Sequence, residues 1–103
     1  MYSENTIIAL STPKGIGAIG VVRISGKKSF SLLSKVFKPL KKEKVKENVA
    51  QVGWIKEKER LIDKVVVTFF KNPNSYTGED LVEISCHGSK YVINEIINLF
   101  IKN

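Results

Sequence analysis

The chain has 103 residues, 43% hydrophobic and 26% charged, with a formal charge of +7. That is one small domain with enough apolar content for a core, and no stretch approaches the roughly 20 apolar residues of a membrane span. A single cysteine, Cys86, excludes an internal disulfide framework, and Met1–Thr6 lacks the basic start and apolar core of a signal peptide, so the expected compartment is the cytoplasm with no membrane contact.

In chain order, Thr6–Thr12 is short and apolar and reads as a buried strand. Pro13–Gly17 is a turn. Ala18–Ser25, with Val21, Val22 and Ile24, reads as a second strand ending at Gly26. Lys27–Lys38 places Phe30, Leu33 and Phe37 at helical spacing and is stopped by Pro39. Lys38–Asn48 is rich in lysine and is expected as a surface loop. Val49–Ile55 and Leu61–Phe70 read as strands paired across the polar Lys56–Arg60 connection, with Val65–Phe70 central in a sheet. Lys71–Gly78 collects turn formers. Glu79–His87 returns to strand, with Leu81, Glu83 and Ser85 on one face and Val82, Ile84 and Cys86 on the other. Gly88–Ser89 opens a helix to Lys102 whose stripe is Val92, Ile93, Ile96, Leu99 and Phe100. The pattern is α+β, a mixed sheet of about five strands with two main helices.

Gly15-Ile-Gly-Ala-Ile-Gly20 matches the G-x-G-x-x-G dinucleotide pattern. That pattern works by seating a pyrophosphate at a helix N-terminus, whereas Val21-Val-Arg-Ile24 are strand formers, so a tight turn is the better account. No G-x-x-x-x-G-K-[ST] is present. One histidine beside one cysteine is no metal set, and Cys86 reads as a buried structural thiol. His87 reads as a strand-end residue that bonds to backbone or lines a pocket. The lysines of 38–48 read as solvating charge. With only Arg23 and Arg60 in the chain, arginine-based phosphate or base readout is not the favoured account.

Arg23 and Glu83 are lone charges in β-rich apolar runs. Arg23 either braces the fold by pairing with Asp80 or Glu79, or reaches a polar ligand. Glu83 either takes hydrogen bonds from a loop, or accepts the paired N–H groups of an aminopyrimidine. Tyr76 and Thr77 either wall such a site or pack their own loop.

Two runs, Thr12-Pro-Lys-Gly-Ile-Gly-Ala-Ile-Gly-Val-Val-Arg-Ile-Ser-Gly26 and Pro73-Asn-Ser-Tyr-Thr-Gly-Glu-Asp-Leu-Val-Glu-Ile-Ser-Cys-His-Gly-Ser89, resemble the N-terminal domain of the tRNA-modification GTPases of the MnmE/TrmE family, and the resemblance covers essentially the whole chain. It implies that residues 1–103 are a tetrahydrofolate-binding and dimerising domain, similar in fold to the folate-binding domains of the glycine-cleavage T-protein class. The parent protein would add a helical domain carrying a GTPase domain that uses GTP, Mg2+ and K+. With an FAD-dependent partner of the MnmG/GidA family it would modify the wobble uridine of tRNA at carbon five. The implied ligand is a one-carbon tetrahydrofolate, in its 5-formyl or methylene form. By position in the motifs, Arg23 and Glu83 are the implied folate contacts, and Gly17, Gly20, Tyr76, Thr77 and Gly78 shape the pocket and the dimer contact. The isolated chain would have no catalysis of its own.

The chain departs from the family pattern at Ile16 and at Ser89, which replaces the second glycine of H-G-G. It also ends at Asn103, before an R-P-G-E-F-type motif and a further cofactor-contacting lysine. Two rival functions are a basic module that contacts tRNA through Lys38–Asn48, and a purely structural dimerisation domain.

Overall fold

Alternating side chains and two amphipathic helices produce a single sheet with helices on one face. The computed structural model describes residues 6–10, 19–71 and 78–103. The elements run β1 (Ile7–Leu10), β2 (Ile19–Ser25), α1 (Ser29–Val36), β3 (Phe37–Pro39), β4 (Gln51–Glu57), β5 (Arg60–Phe70), β6 (Leu81–His87) and α2 (Lys90–Lys102). The strand order is β1-β2-β6-β5-β4-β3, and each neighbouring pair is antiparallel. The fold is α+β as expected, with β5 and β6 at the centre. The sheet is antiparallel throughout its strand pairs, and the parallel element is one isolated bridge, Glu47 to Phe69.

The additional strand comes from the end of the first helix. At Phe37 the backbone turns extended (φ −107°, ψ 128°) while its N–H still donates to the Leu33 carbonyl. Lys38 precedes a proline and so disfavours the helical region. Pro39, which has no N–H, sits opposite Gly53 in an edge strand, where a missing donor is tolerated. Between β4 and β5 the connection is only Lys58-Glu59, with Glu57 opposite Arg60 and Lys58 at φ 55°.

The core lies between the sheet and the helices. Val22 and Ile24 of β2, Val82, Ile84 and Cys86 of β6, Val65, Val67 and Phe69 of β5 and Ile55 of β4 meet Leu33 and Val36 of α1 and Ile96, Leu99 and Phe100 of α2. Each such aliphatic or aromatic side chain contributes about 1.5–3 kcal/mol on burial. Phe30 is less buried than its helical spacing suggests, at 39% exposure, and packs tilted against Phe69 with ring centroids 4.9 Å apart. The start of α1 is tied down by the buried Ser29 hydroxyl, 2.6 Å from the Gly26 carbonyl and 3.2 Å from that of Asp80. Ser89 caps α2 by accepting from the Val92 N–H.

The other face of the sheet carries no described helix. It presents Ile19, Val21, Arg23 and Ser25 of β2, Glu83, Ser85 and His87 of β6, and Lys64, Val66 and Thr68 of β5. Ile19 is 62% exposed, and Val52 and Val66 are 43% and 39% exposed.

Candidate functional site: an ion pair and a hollow on the open sheet face

β2 and β6 are separated by most of the sequence but lie side by side, and their register sets Arg23 directly opposite Glu83. Arg23 Nε donates to Glu83 Oε2 at 2.9 Å. Both side chains are half-exposed, at 41% and 30%, so Arg23 lies on the solvent side of its apolar run and not within the core. The sequence offers Asp80 or Glu79 as the partner that braces Arg23; the structure sets Glu83 against it. Asp80 precedes β6, and its carbonyl accepts from the Gly26 N–H at 2.9 Å. A cross-strand pair at this exposure contributes at most about 1 kcal/mol. Glu83 has Thr68 of β5 as its other cross-strand neighbour, and among the described residues its Oε1 takes no hydrogen bond.

Two residues further along the strands, a shallow hollow of about 310 Å³ is lined by Ile19, Val52, Lys64, Val66, Ser85 and His87. Its floor is apolar and its rim carries one cation, one hydroxyl and one imidazole. That volume is at the small end of the range for ligand sites.

Asp63 fixes the imidazole. Its carboxylate is buried, yet both oxygens are engaged: Oδ2 accepts from the His87 backbone N–H at 2.9 Å and Oδ1 lies 2.7 Å from Nδ1. The β5–β6 ladder ends at Val66 and Ser85, so the carboxylate takes the place of a ladder carbonyl at the end of β6. It also orients the ring with Nδ1–H toward the acid and Nε2 away from it. His87, with a pocket or the backbone as its expected partners, lines the hollow. Sequence reasoning misses Asp63. A signal exists, since it is the one acid in Leu61–Phe70 and shares strand parity with Val65, Val67 and Phe69.

Cys86 faces the helices, with its thiol 3.5 Å from the Gly20 carbonyl. Burial, and then the nearby Asp63 charge, pushes the thiol up to about 11. It is protonated at neutral pH, which makes it a poor nucleophile and metal ligand.

The remaining expected site residues divide. Gly20 lies on the helix-packed face, where a Cβ would come 2.8 Å from Ile93 Cδ1; its smallness serves the approach of α2. It is also inside a strand, which removes the helix start that the G-x-G-x-x-G reading requires. Gly78 has φ +79°, and a Cβ there would meet nothing within 4 Å, so backbone conformation is what favours glycine at this position. Gly17, Tyr76 and Thr77 lie outside the described residues.

Residues 6–103 match the family model described as "GTP-binding protein TrmE N-terminus". The chain belongs to this family. Among curated relatives, it is 47% identical over 98 residues to the tRNA modification GTPase MnmE of Cytophaga hutchinsonii, covering 95% of the chain and 21% of that protein. It is 48% identical over 100 residues to the MnmE of Endomicrobium trichonymphae, covering 97% and 21%. It is 42% identical over 99 residues to that of Thermotoga maritima, covering 96% and 22%. The chain thus spans about a fifth of the length of these TrmE-family relatives, and both motif-bearing runs fall within the family match. Among its described helices none is long and apolar enough to cross a membrane.

Proposed function

We propose that the chain is the N-terminal domain of a tRNA-modification GTPase, that it binds a one-carbon tetrahydrofolate at the Arg23–Glu83 pair, and that it dimerises. The observation that carries this reading is the pair itself. Two charges taken from the two family motifs face each other across adjacent strands, on the sheet face without a described helix. Glu83 offers two carboxylate oxygens to a pterin, whose amino group and ring N–H lie side by side. Arg23 both holds Glu83 and provides cationic N–H groups for an anionic or polar part of the cofactor. The hollow beside the pair supplies an apolar floor for a flat ring, with Ser85 and Lys64 at its edge. When bound, the folate would carry the one-carbon unit; this chain's residues would bind and orient it.

The parent protein would hydrolyse GTP with Mg2+ and K+ in a separate domain, work with an FAD-dependent MnmG/GidA-family protein, and modify the wobble uridine of tRNA. Apolar side chains left exposed on the open face, Ile19, Val52 and Val66, support burial against a ligand or a second copy.

Calorimetric titration of the chain with 5-formyltetrahydrofolate tests the site. Saturable binding is expected, weakened about 10- to 100-fold by Glu83→Gln or Arg23→Ala, as for loss of a charged hydrogen bond. Each variant is checked for folding by circular dichroism. Unchanged affinity in a folded Glu83→Gln variant places the site elsewhere. Absence of binding by the folded wild type leaves the pair as a structural brace and dimerisation as the function.

A further inference from the structure

Residues 27–47 contain eight lysines and two glutamates, a net +6 of the chain's +7. The rest of the molecule is therefore close to neutral, and the basic character belongs to one continuous stretch of chain that runs through α1, β3 and the loop that follows. All eight lysines are exposed. Lys28, Lys35, Lys38, Lys41, Lys42 and Lys44 take no ion pair among the described residues, and Lys46 meets Glu43 only at 3.8 Å.

A loop whose lysines merely solvate a surface needs no fixed shape, but this one is pinned. Gln51, at the start of β4, is 4% exposed, and among the described residues its side-chain amide bonds to the loop. Its Oε1 accepts from the Lys46 N–H at 2.8 Å, and its Nε2 donates to the Lys44 carbonyl at 3.0 Å and to Glu43 Oε1 at 3.1 Å. Leaving a buried amide unpaired is costly in an apolar setting, so Gln51 and the loop constrain each other. Val45 packs on the core. The Leu40 N–H donates to the Val52 carbonyl at 3.0 Å and the Asn48 N–H to the Phe69 carbonyl at 2.8 Å, fixing both ends. Glu43, which would neutralise the run, is turned toward Gln51. Lys41 to Lys46 spans at most about 18 Å of chain, so four of the ammonium groups hang from one short pinned segment.

We propose that this pinned lysine loop is a preformed cationic surface that seats the phosphate backbone of an RNA. Lysine acts as a point charge suited to sequence-independent phosphate contact, and its low specificity matches a surface that positions a substrate without reading bases. The choice of RNA among polyanions rests on the proposed tRNA-modifying parent. Lys41, Lys42 and Lys44 are not among the residues of the Arg23–Glu83 pair or the hollow beside it, so the two sites can be tested separately.

The test is fluorescence anisotropy of a labelled tRNA transcript titrated with the full chain at several salt concentrations. Four variants are compared: Lys41→Glu/Lys42→Glu/Lys44→Glu, its neutral counterpart Lys41→Gln/Lys42→Gln/Lys44→Gln, Gln51→Ala, and a control with the same charge change elsewhere, Lys58→Glu/Lys71→Glu/Lys90→Glu. The loop reversal is expected to lower affinity more than about tenfold near 100 mM salt, and to flatten the dependence of log K on log salt by about two to three units. The neutral triple shows the same direction in a milder form. Gln51→Ala, with every lysine retained, weakens binding severalfold, and the control changes it less than about threefold. Equal losses from loop and control variants overturn the proposal in favour of diffuse charge. Absence of RNA binding by the folded wild type overturns it too, and makes an acidic protein surface the next partner to test. Retained 5-formyltetrahydrofolate binding in the loop variants keeps the folate reading separate from this outcome.

Discussion

At the scale of single residues, glycine shows how local geometry decides the cost of a methyl group. A Cβ at Gly53 would lie 2.4 Å from the Lys38 carbonyl oxygen and 2.6 Å from Phe37 Cε1. A backbone oxygen in a strand pair cannot yield without opening the pair, so Gly53→Ala is expected to destabilise by about 1–3 kcal/mol and to loosen β3. At Gly20 the obstacle is the mobile end of Ile93, so Gly20→Ala is expected to cost less than about 1.5 kcal/mol. Urea denaturation of both variants checks the order, and a Gly20→Ala loss exceeding that of Gly53→Ala contradicts it. The same scale shows why Arg23 reads, in the sequence, as a burial problem. A lone charge in an apolar run looks costly until strand alternation places it on the open face.

Among the elements, the β4–β5 hairpin is joined to α2 by charge. Arg60 Nη1 bonds Glu95 Oε1 at 2.7 Å, Arg60 Nη2 bonds Glu57 Oε1 at 3.1 Å, and Lys102 Nζ bonds Glu57 Oε2 at 2.6 Å. The Lys102 hydrogen bond, followed by that of Arg60, lowers the Glu57 carboxyl below its ordinary 4.5, and Glu95 and then Glu57 raise Arg60 above its usual range. A carboxyl lowered on folding adds stability that is complete above its unfolded value. That stability is lost as pH falls through the lower folded value. Amide hydrogen exchange in the last turn of α2 is therefore expected to quicken as pH drops below about 4.5, after correction for intrinsic exchange rates, and Glu57→Gln should remove that pH dependence. A wild-type profile with no such step removes Glu57 as the clasp. The ties are exposed and screened by salt, so their role is to orient the hairpin against the helix more than to stabilise the fold.

For the whole molecule, the division between a helix-covered face and a face without a described helix frames both proposed contacts. Dimerisation is expected to appear in sedimentation velocity as a concentration-dependent species of twice the monomer mass. Glu83→Gln should leave that equilibrium unchanged while weakening folate. A strictly monomeric chain at high micromolar concentration removes the dimer from the proposal and leaves the ligand site standing. Of the +7 charge, +6 falls within residues 27–47, and the fold pins the loop that carries four of those lysines.

By itself the sequence determined the α+β class, both described helices, five of the six described strands to within a few residues, and the family, because periodicity and two long motifs are local properties of the chain. The inner face of the central strand was equally legible, since Val65, Val67 and Phe69 announce it by alternation. What only tertiary structure decided depends on residues distant along the chain. Arg23 meets Glu83 because β2 and β6 are neighbours in a register no local pattern specifies. Asp63 becomes the holder of His87 because β6 outruns its pairing with β5. β3 exists because Gly53 leaves room for Phe37 at the sheet edge. The lysine loop is fixed because a buried amide in β4 bonds to three of its groups. Local pattern selects elements; pairing between distant strands creates the candidate site.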